Sequence, residues 1–185
     1  MAEKYSDRLS PMFKVPIKYG LVATVINAIL MIILLKSGRH PLLIPPYFDA
    51  RIIIFLIFIY FSIREFKEFH NNGILHMWQG LIIGMVTYLI VGFFGSFFII
   101  IYTKFDPSFL TGYIESAIRG AEIFKEELMA GERGVSMTEE EYQNHITQLK
   151  QTSANLLAFD YFIKSCLLGF FIPLIYSVLF RRTEK

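Results

Sequence analysis

Two acid–base pairs flank the longest polar segment of the chain, and they are the residues best placed for binding chemistry. Asp160 and Lys164 are four residues apart, which puts both side chains on one face of a helix. Lys104 and Asp106 lie at the other end of the same segment. An interfacial ion pair with a snorkelling lysine accounts for Asp160 and Lys164. The alternative is a charged binding site formed by all four residues where the polar segment meets the membrane.

The other residue types that catalyse reactions or bind metals lack the necessary spacing. The four histidines fall on three different connections and form no HExxH pair, so we expect no metal site. No GxSxG motif is present for a serine nucleophile, and the single cysteine, Cys166, has no partner for an internal disulfide. We therefore expect no catalytic residues and no cofactor, and predict that the protein is not an enzyme.

The composition indicates a membrane protein. Of 185 residues, 54% are apolar and 18% are charged, whereas a soluble domain has about 25% charged residues. The apolar residues are concentrated in long blocks, as in membrane-spanning helices. The net charge of +2 is too small to suggest a nucleic-acid partner. The predicted fold class is therefore an all-α membrane protein, with membrane lipid as its first partner.

Four segments are predicted to cross the membrane as helices. They are Val15–Leu35, Phe48–Phe66, Gly80–Tyr102 and Tyr161–Phe180. The first is too long for the apolar region of a signal peptide, and no cleavage site follows it. We expect residues 1–185 to form a single four-span domain with an extramembrane helical hairpin inserted at residues 104–160.

Small and polar residues within the spans predict how the helices pack. The third span carries small residues at intervals of four or a multiple of four, which lets two helix backbones approach closely. These residues are Gly80, Gly84, Gly92 and Ser96. We expect them to pack within the chain, and a homodimer seam is the alternative. Asn27, near the middle of the first span, is expected to hydrogen-bond to a neighbouring helix.

Two apolar seams with heptad spacing predict that the insertion is an antiparallel coiled-coil hairpin. The first seam comprises Leu110, Ile114, Ala117, Ala121, Phe124 and Leu128. The second comprises Tyr142, Ile146, Leu149, Ser153 and Leu156. Phe124 and Ile146 are expected to be core residues. Because no stop signal separates the second seam from the last span, we also expect one helix over Thr138–Arg181, bent at Pro173.

The distribution of charge predicts the orientation. Four spans place both termini on one side of the membrane, and Lys and Arg are divided equally between the two sides. Of the 16 acidic residues, five fall on the side of the termini and eleven on the side of the hairpin. Two cations of the hairpin, Lys125 and Arg133, are also expected to lie far from the membrane, where they count little. We expect cytoplasmic termini and a hairpin on the outer side of the inner membrane.

Short motifs in the middle of the chain resemble a family of small bacterial membrane proteins. The motifs are Ile63-Arg64-Glu65-Phe66-Lys67, Asn72-Gly73, Trp78-Gln79-Gly80 with Gly84, Phe105-Asp106-Pro107-Ser108-Phe109-Leu110, and a short basic tail. The family is catalogued as a domain of unknown function with four spans. The resemblance implies a bacterial inner-membrane protein and no particular activity. Tetraspanins also carry a large loop between spans three and four, but that loop contains cysteine motifs that are missing here.

Two functions fit these observations. The first is a non-enzymatic scaffold or accessory subunit whose hairpin docks a partner, either another protein or a second copy of the chain. The second is a small transporter or a lipid-handling protein that uses a pocket between the spans. Intramembrane carboxylates, which ion carriers usually place at mid-depth, are missing from spans one, three and four between their ends.

Overall fold

The computed structural model describes residues 10–45, 48–130 and 136–182, apart from the side chain of Leu168. Seven α-helices lie within these ranges: α1 (Pro11–Lys36), α2 (Ala50–Glu65), α3 (Met77–Phe105), α4 (Ser108–Ile123), α5 (Lys125–Ala130), α6 (Glu139–Lys150) and α7 (Ala154–Phe180). A 3₁₀ turn, Pro41–Leu43, precedes α2, and a π-helical turn, Phe66–His70, follows it. The described residues contain no β-strand, only an isolated bridge between Leu75 and Arg182. The all-α prediction is confirmed.

Three of the helices are long and apolar enough to cross a membrane. They are α1, α3 and α7, with 26, 29 and 27 residues. The second predicted span is the helix α2, which has only 16 residues, fewer than the roughly 20 that a typical bilayer requires. Three candidate spans therefore lie among the residues that the structure describes, which indicates a membrane protein.

Helix α3 is the centre of the bundle, because it contacts α1, α2 and α7. Its glycines lie directly against α7. A methyl group added at Gly84 would lie 2.5 Å from the Cβ of Pro173, and one at Gly80 would lie 2.8 Å from the Oγ of Ser177. Both distances are too short for a real side chain, so the two backbones approach as closely as glycine allows.

The matching surface of α7 also repeats every four residues. The residues that face α3 are Tyr161, Ser165, Gly169, Pro173 and Ser177. Where α7 presents its glycine, Gly169, the ring of Tyr88 on α3 occupies the space that a side chain would need. Along the rest of the contact, glycines of α3 face side chains of α7. Gly80, Gly84 and Gly92 of the third span therefore pack within the chain. The hydroxyl of Ser96 instead donates to the carbonyl oxygen of Gly92 in its own helix over 2.8 Å, and Gly95 packs against Tyr161.

The helices between α3 and α7 contact one another. Helix α4 contacts α6, and the Nζ of Lys125 donates to Glu139 Oε1 over 2.9 Å. Tyr142 is the buried residue of α6, 4% exposed, with the Nζ of Lys125 4.8 Å from its ring centroid. Thr138 and Glu141 form a capping box at the start of α6.

The predicted seam residues have different degrees of burial. Most are half-buried, namely Leu110, Ile114, Ala117, Ala121, Phe124, Leu128, Ile146 and Leu149. At the membrane end, Ser153 is exposed and Leu156 is 55% exposed, so neither packs in a seam. Leu157 and Ala158, each 2% exposed, are buried there instead.

The expectation of one helix over Thr138–Arg181 is wrong. Helix α6 ends at Lys150, and α7 begins at Ala154. Ser153 caps α7, and its Oγ accepts a hydrogen bond from the backbone N–H of Leu156 over 3.2 Å. Serine side chains compete with the backbone for such bonds, which favours a helix start over a helix interior.

We expect Gly84→Leu to lower the free energy of unfolding by about 1–3 kcal/mol or more, because the side chain must push α7 away at Pro173. Gly112→Ala is the matched control. Gly112 lies in α4 with open space around it, so alanine there should stabilise the helix by about 0.5–1 kcal/mol. Thermal melting of the purified variants in detergent measures both. Equal melting temperatures for Gly84→Leu and the wild type would contradict the close contact of α3 with α7.

Candidate functional site

A cavity of about 330 Å³ lies between the start of α2 and the first half of α7, beneath the connection from α1 to α2. Four of its ten lining residues are apolar, namely Leu42, Ile44, Phe55 and Leu167. Four charged side chains also line it, namely Asp49, Arg51, Asp160 and Lys164. The cavity combines an apolar surface with both signs of charge, at the end of the bundle nearest the hairpin.

Arg51 is the most deeply buried charge in the cavity wall, with 6% of its surface exposed. Asp49 caps α2 by accepting from the backbone N–H of Arg51 over 2.9 Å. The same carboxylate accepts from the Arg51 side chain, with Nε at 2.7 and 2.8 Å and Nη2 at 2.5 Å. Nη1 of Arg51 is buried and has no hydrogen-bond partner among the described residues. Asp49 therefore accepts hydrogen bonds from two of the three guanidinium nitrogens, and the third, Nη1, makes no hydrogen bond to a described residue.

Tyr161 connects this wall to the rest of the bundle. Its hydroxyl accepts a hydrogen bond from Asn27 Nδ2 of α1 over 2.7 Å. Its ring lies against Gly95 of α3, and the guanidinium carbon of Arg51 is 5.9 Å from the ring centroid. Asn27 thus bonds to a neighbouring helix, and its Oδ1 remains buried without a described partner. The side chain of Tyr161 contacts three other helices, so the cavity wall is fixed in position.

The structure brings two of the four predicted charged residues to the cavity. Lys164 Nζ donates to Asp160 Oδ2 over 2.6 Å, and the pair is half-exposed at the rim. Lys104 and Asp106 do not line the cavity. Asp106 instead accepts from the backbone N–H of Ser108, the first residue of α4, over 3.1 Å.

The sequence interpretation missed Asp49 and Arg51. The available signal was an Asp-x-Arg motif, residues 49–51, at the start of an otherwise apolar segment. A buried arginine there needs a partner on the same turn, and the helix-capping aspartate supplies it. No cluster of three or more metal-binding side chains occurs among the described residues.

His40 links the connection between α1 and α2 to the start of α4. Its Nδ1 accepts from the backbone N–H of Leu42 over 3.3 Å, which leaves Nε2 to donate to the carbonyl oxygen of Phe109 over 3.0 Å. Its ring centroid is 4.7 Å from that of Phe109 and 5.3 Å from that of Tyr113. Since Leu42 lines the cavity, Phe109 at the start of α4 helps to hold one wall of the site through His40.

The comparison with known families identifies nearly the whole chain. Residues 18–182 match the model of a family described as Protein of unknown function (DUF4199). The chain belongs to the DUF4199 family. The predicted resemblance to a domain of unknown function is thereby confirmed. Neither the curated proteins nor the solved structures give a match to this DUF4199 chain.

We expect this DUF4199 protein to lose stability in acid through His40. Burial, with a smaller contribution from the nearby charge of Arg51, lowers the pKa of His40 from 6.5 to about 4, against the opposing effect of the Phe109 carbonyl. The unfolded chain therefore takes up a proton near pH 6.5, and the folded chain only near pH 4. Stability is complete above pH 6.5 and falls as the pH drops towards 4, by at most about 3 kcal/mol.

The control for this pH dependence is His40→Gln, which keeps a donor and an acceptor but does not titrate. Melting temperatures of the wild type and the variant are compared between pH 7.5 and 4.5. We expect the wild type to lose more stability than His40→Gln over this range. Parallel curves would show that His40 does not carry the effect.

Proposed function

We propose that this protein is a four-span membrane protein that binds one amphipathic, lipid-like molecule in the cavity between α2 and α7. The observation that carries the proposal is the buried Nη1 of Arg51, which has no hydrogen-bond partner among the described residues, in a wall that also holds four apolar side chains. A buried donor without a partner costs about 1–3 kcal/mol, and more when the group is charged. A ligand that offers an oxygen acceptor to Arg51 and an apolar chain to Phe55 and Leu167 removes this cost.

The size and position of the cavity fit such a ligand. Its volume of about 330 Å³ is at the lower end of the range of small-molecule sites, about 300–1,000 Å³. It holds a head group and the first part of a chain, and the rest of the chain lies along the lipid-facing surface. Leu167 is 63% exposed on that surface. The proposed role is binding, and it includes no catalytic step.

The contacts of α2 support its assignment as the fourth span. At its end, Glu65 accepts from Lys18 Nζ of α1 over 2.6 Å and from the Tyr19 hydroxyl over 2.6 Å. Helix α2 also packs along α1 and α3. It therefore lies beside two candidate spans, and its polar ends coincide with the polar connections of the bundle.

Filling the cavity should expel the ligand. We expect Ile44→Trp to reduce the amount of co-purified lipid seen by native mass spectrometry in a mild detergent, because Ile44 lines the cavity. The control is Leu43→Trp, next in the chain but not part of this cavity wall. Equal lipid occupancy in both variants and the wild type would contradict binding at this site.

Four spans and cytoplasmic termini also predict a labelling pattern. Single cysteines are introduced at Asn144 on α6 and at His70 after α2, both exposed, on a Cys166→Ser background. An impermeant thiol reagent added to intact cells should label the cysteine at Asn144 and leave the one at His70 unlabelled until the cells are opened. Labelling of both from outside, or only of the one at His70, would refute the four-span topology or its orientation.

A second candidate function is a scaffold or accessory subunit that uses the hairpin. It is favoured by Ile123, which is 70% exposed at the end of α4, outside the bundle. A partner protein or a second copy of the chain would cover this residue. We expect Ile123→Ser to abolish a complex seen by light scattering or affinity purification without changing the melting temperature. A complex that survives this substitution would exclude this face of the hairpin as the docking surface.

A further inference from the structure

We propose that the head group bound in the cavity is zwitterionic, with a phosphate against Arg51 and a primary ammonium group against Asp160, as in phosphatidylethanolamine. The inference rests on the proposed function, since it assumes that the cavity binds one amphiphile. It adds the chemical class of the head group and the direction in which that head group lies.

Arg51 selects the phosphate. Its Nε and Nη2 are both taken by Asp49, and the buried Nη1 is the nitrogen that has no partner among the described residues. A guanidinium prefers anionic oxygens, and it binds them most strongly where water is excluded. Because Arg51 is 6% exposed, the oxygen that it binds lies deep in the site. The phosphate end of the ligand therefore points inwards.

The charge balance of the wall selects the second group. The lining contains two cations, Arg51 and Lys164, and two carboxylates, Asp49 and Asp160, so it is neutral as a whole. A phosphate diester alone would add one uncompensated negative charge to a site of low dielectric constant, which is unfavourable. A ligand that carries its own positive charge keeps the site neutral. Head groups with a net negative charge, such as phosphoglycerol, are disfavoured.

Asp160 is the carboxylate that can bind the ammonium group. Both oxygens of Asp49 are engaged by Arg51. Asp160 receives Lys164 through Oδ2, which leaves Oδ1 as an acceptor at the rim. A primary ammonium group donates hydrogen bonds, whereas the quaternary ammonium of choline has no N–H to donate. The site is therefore built for ethanolamine over choline, with the ammonium group nearer to water than the phosphate.

The test measures binding of three lysophospholipids with the same acyl chain to the full-length protein in detergent by native mass spectrometry. The probes carry ethanolamine, glycerol or choline head groups. We expect the ethanolamine probe to bind about tenfold more tightly than the other two, the effect of one hydrogen bond to a charged group. Free phosphoethanolamine, which lacks the acyl chain, should not displace it at equal concentration. Displacement would identify a soluble phosphate ester as the ligand and overturn the assignment to a lipid.

Two variants separate the recognition of the ammonium group from that of the phosphate. Asp160→Asn should remove the preference for ethanolamine and favour the glycerol probe, because Lys164 then adds a net positive charge at the rim. Arg51→Lys should weaken the binding of all three probes while keeping the charge of the wall. A lysine side chain cannot donate to Asp49 and to a phosphate with the forked geometry of a guanidinium. The matched control is Arg64→Lys, an exposed arginine that pairs with Glu68 at the other end of α2. This control should bind the probes as the wild type does.

The outcomes distinguish this inference from the proposed function. If the glycerol probe binds the wild type as tightly as the ethanolamine probe, the zwitterionic head group is wrong, although the cavity still binds an amphiphile. The same conclusion follows if Asp160→Asn leaves the preference unchanged. If none of the probes binds, the proposed function itself fails.

Discussion

The close approach of α3 and α7 is the contact on which the rest of the bundle depends. Lipid removes the hydrophobic driving force between spans, so helices associate through dense packing and a few hydrogen bonds. Gly80 and Gly84 provide that packing against Ser177 and Pro173. At the other end of the same contact, the ring of Tyr161 packs against Gly95. The contact that holds α7 in the bundle therefore also positions the cavity wall.

The hydropathy pattern and the spacing of small residues predicted much of this architecture. The apolar blocks predicted the helices α1, α3 and α7, and the fourfold spacing of glycines predicted the packing face of α3. The sequence analysis missed the surface of α7 that packs against α3, because the bulky Tyr161 and the cyclic Pro173 interrupt any pattern of small residues there. They fit only because glycine stands opposite each of them. A complementary surface of this kind can be recognised only when both helices are compared.

The break between α6 and α7 and the cavity were harder to predict for different reasons. Ser153 fits a heptad by position, but its side chain caps α7 instead. The cavity combines Asp49 and Arg51 with residues from the last helix. Neither segment on its own indicates that the two lie close together in the fold. Asp160 and Lys164 could be predicted as an interfacial pair from their spacing alone. Their role as the rim of a site depends on the buried arginine across from them.

The shortness of α2 has a consequence for the membrane itself. A helix of 16 residues is roughly 24 Å long at about 1.5 Å per residue, whereas the hydrocarbon core is about 30 Å thick. In the four-span topology proposed above, α2 would be shorter than the bilayer is thick, and local thinning of the bilayer is one way in which such a short span is accommodated. Such thinning on the α2 side would draw the head-group layer down towards Arg51. Hydrophobic mismatch would then bring the polar parts of neighbouring lipids to the mouth of the cavity.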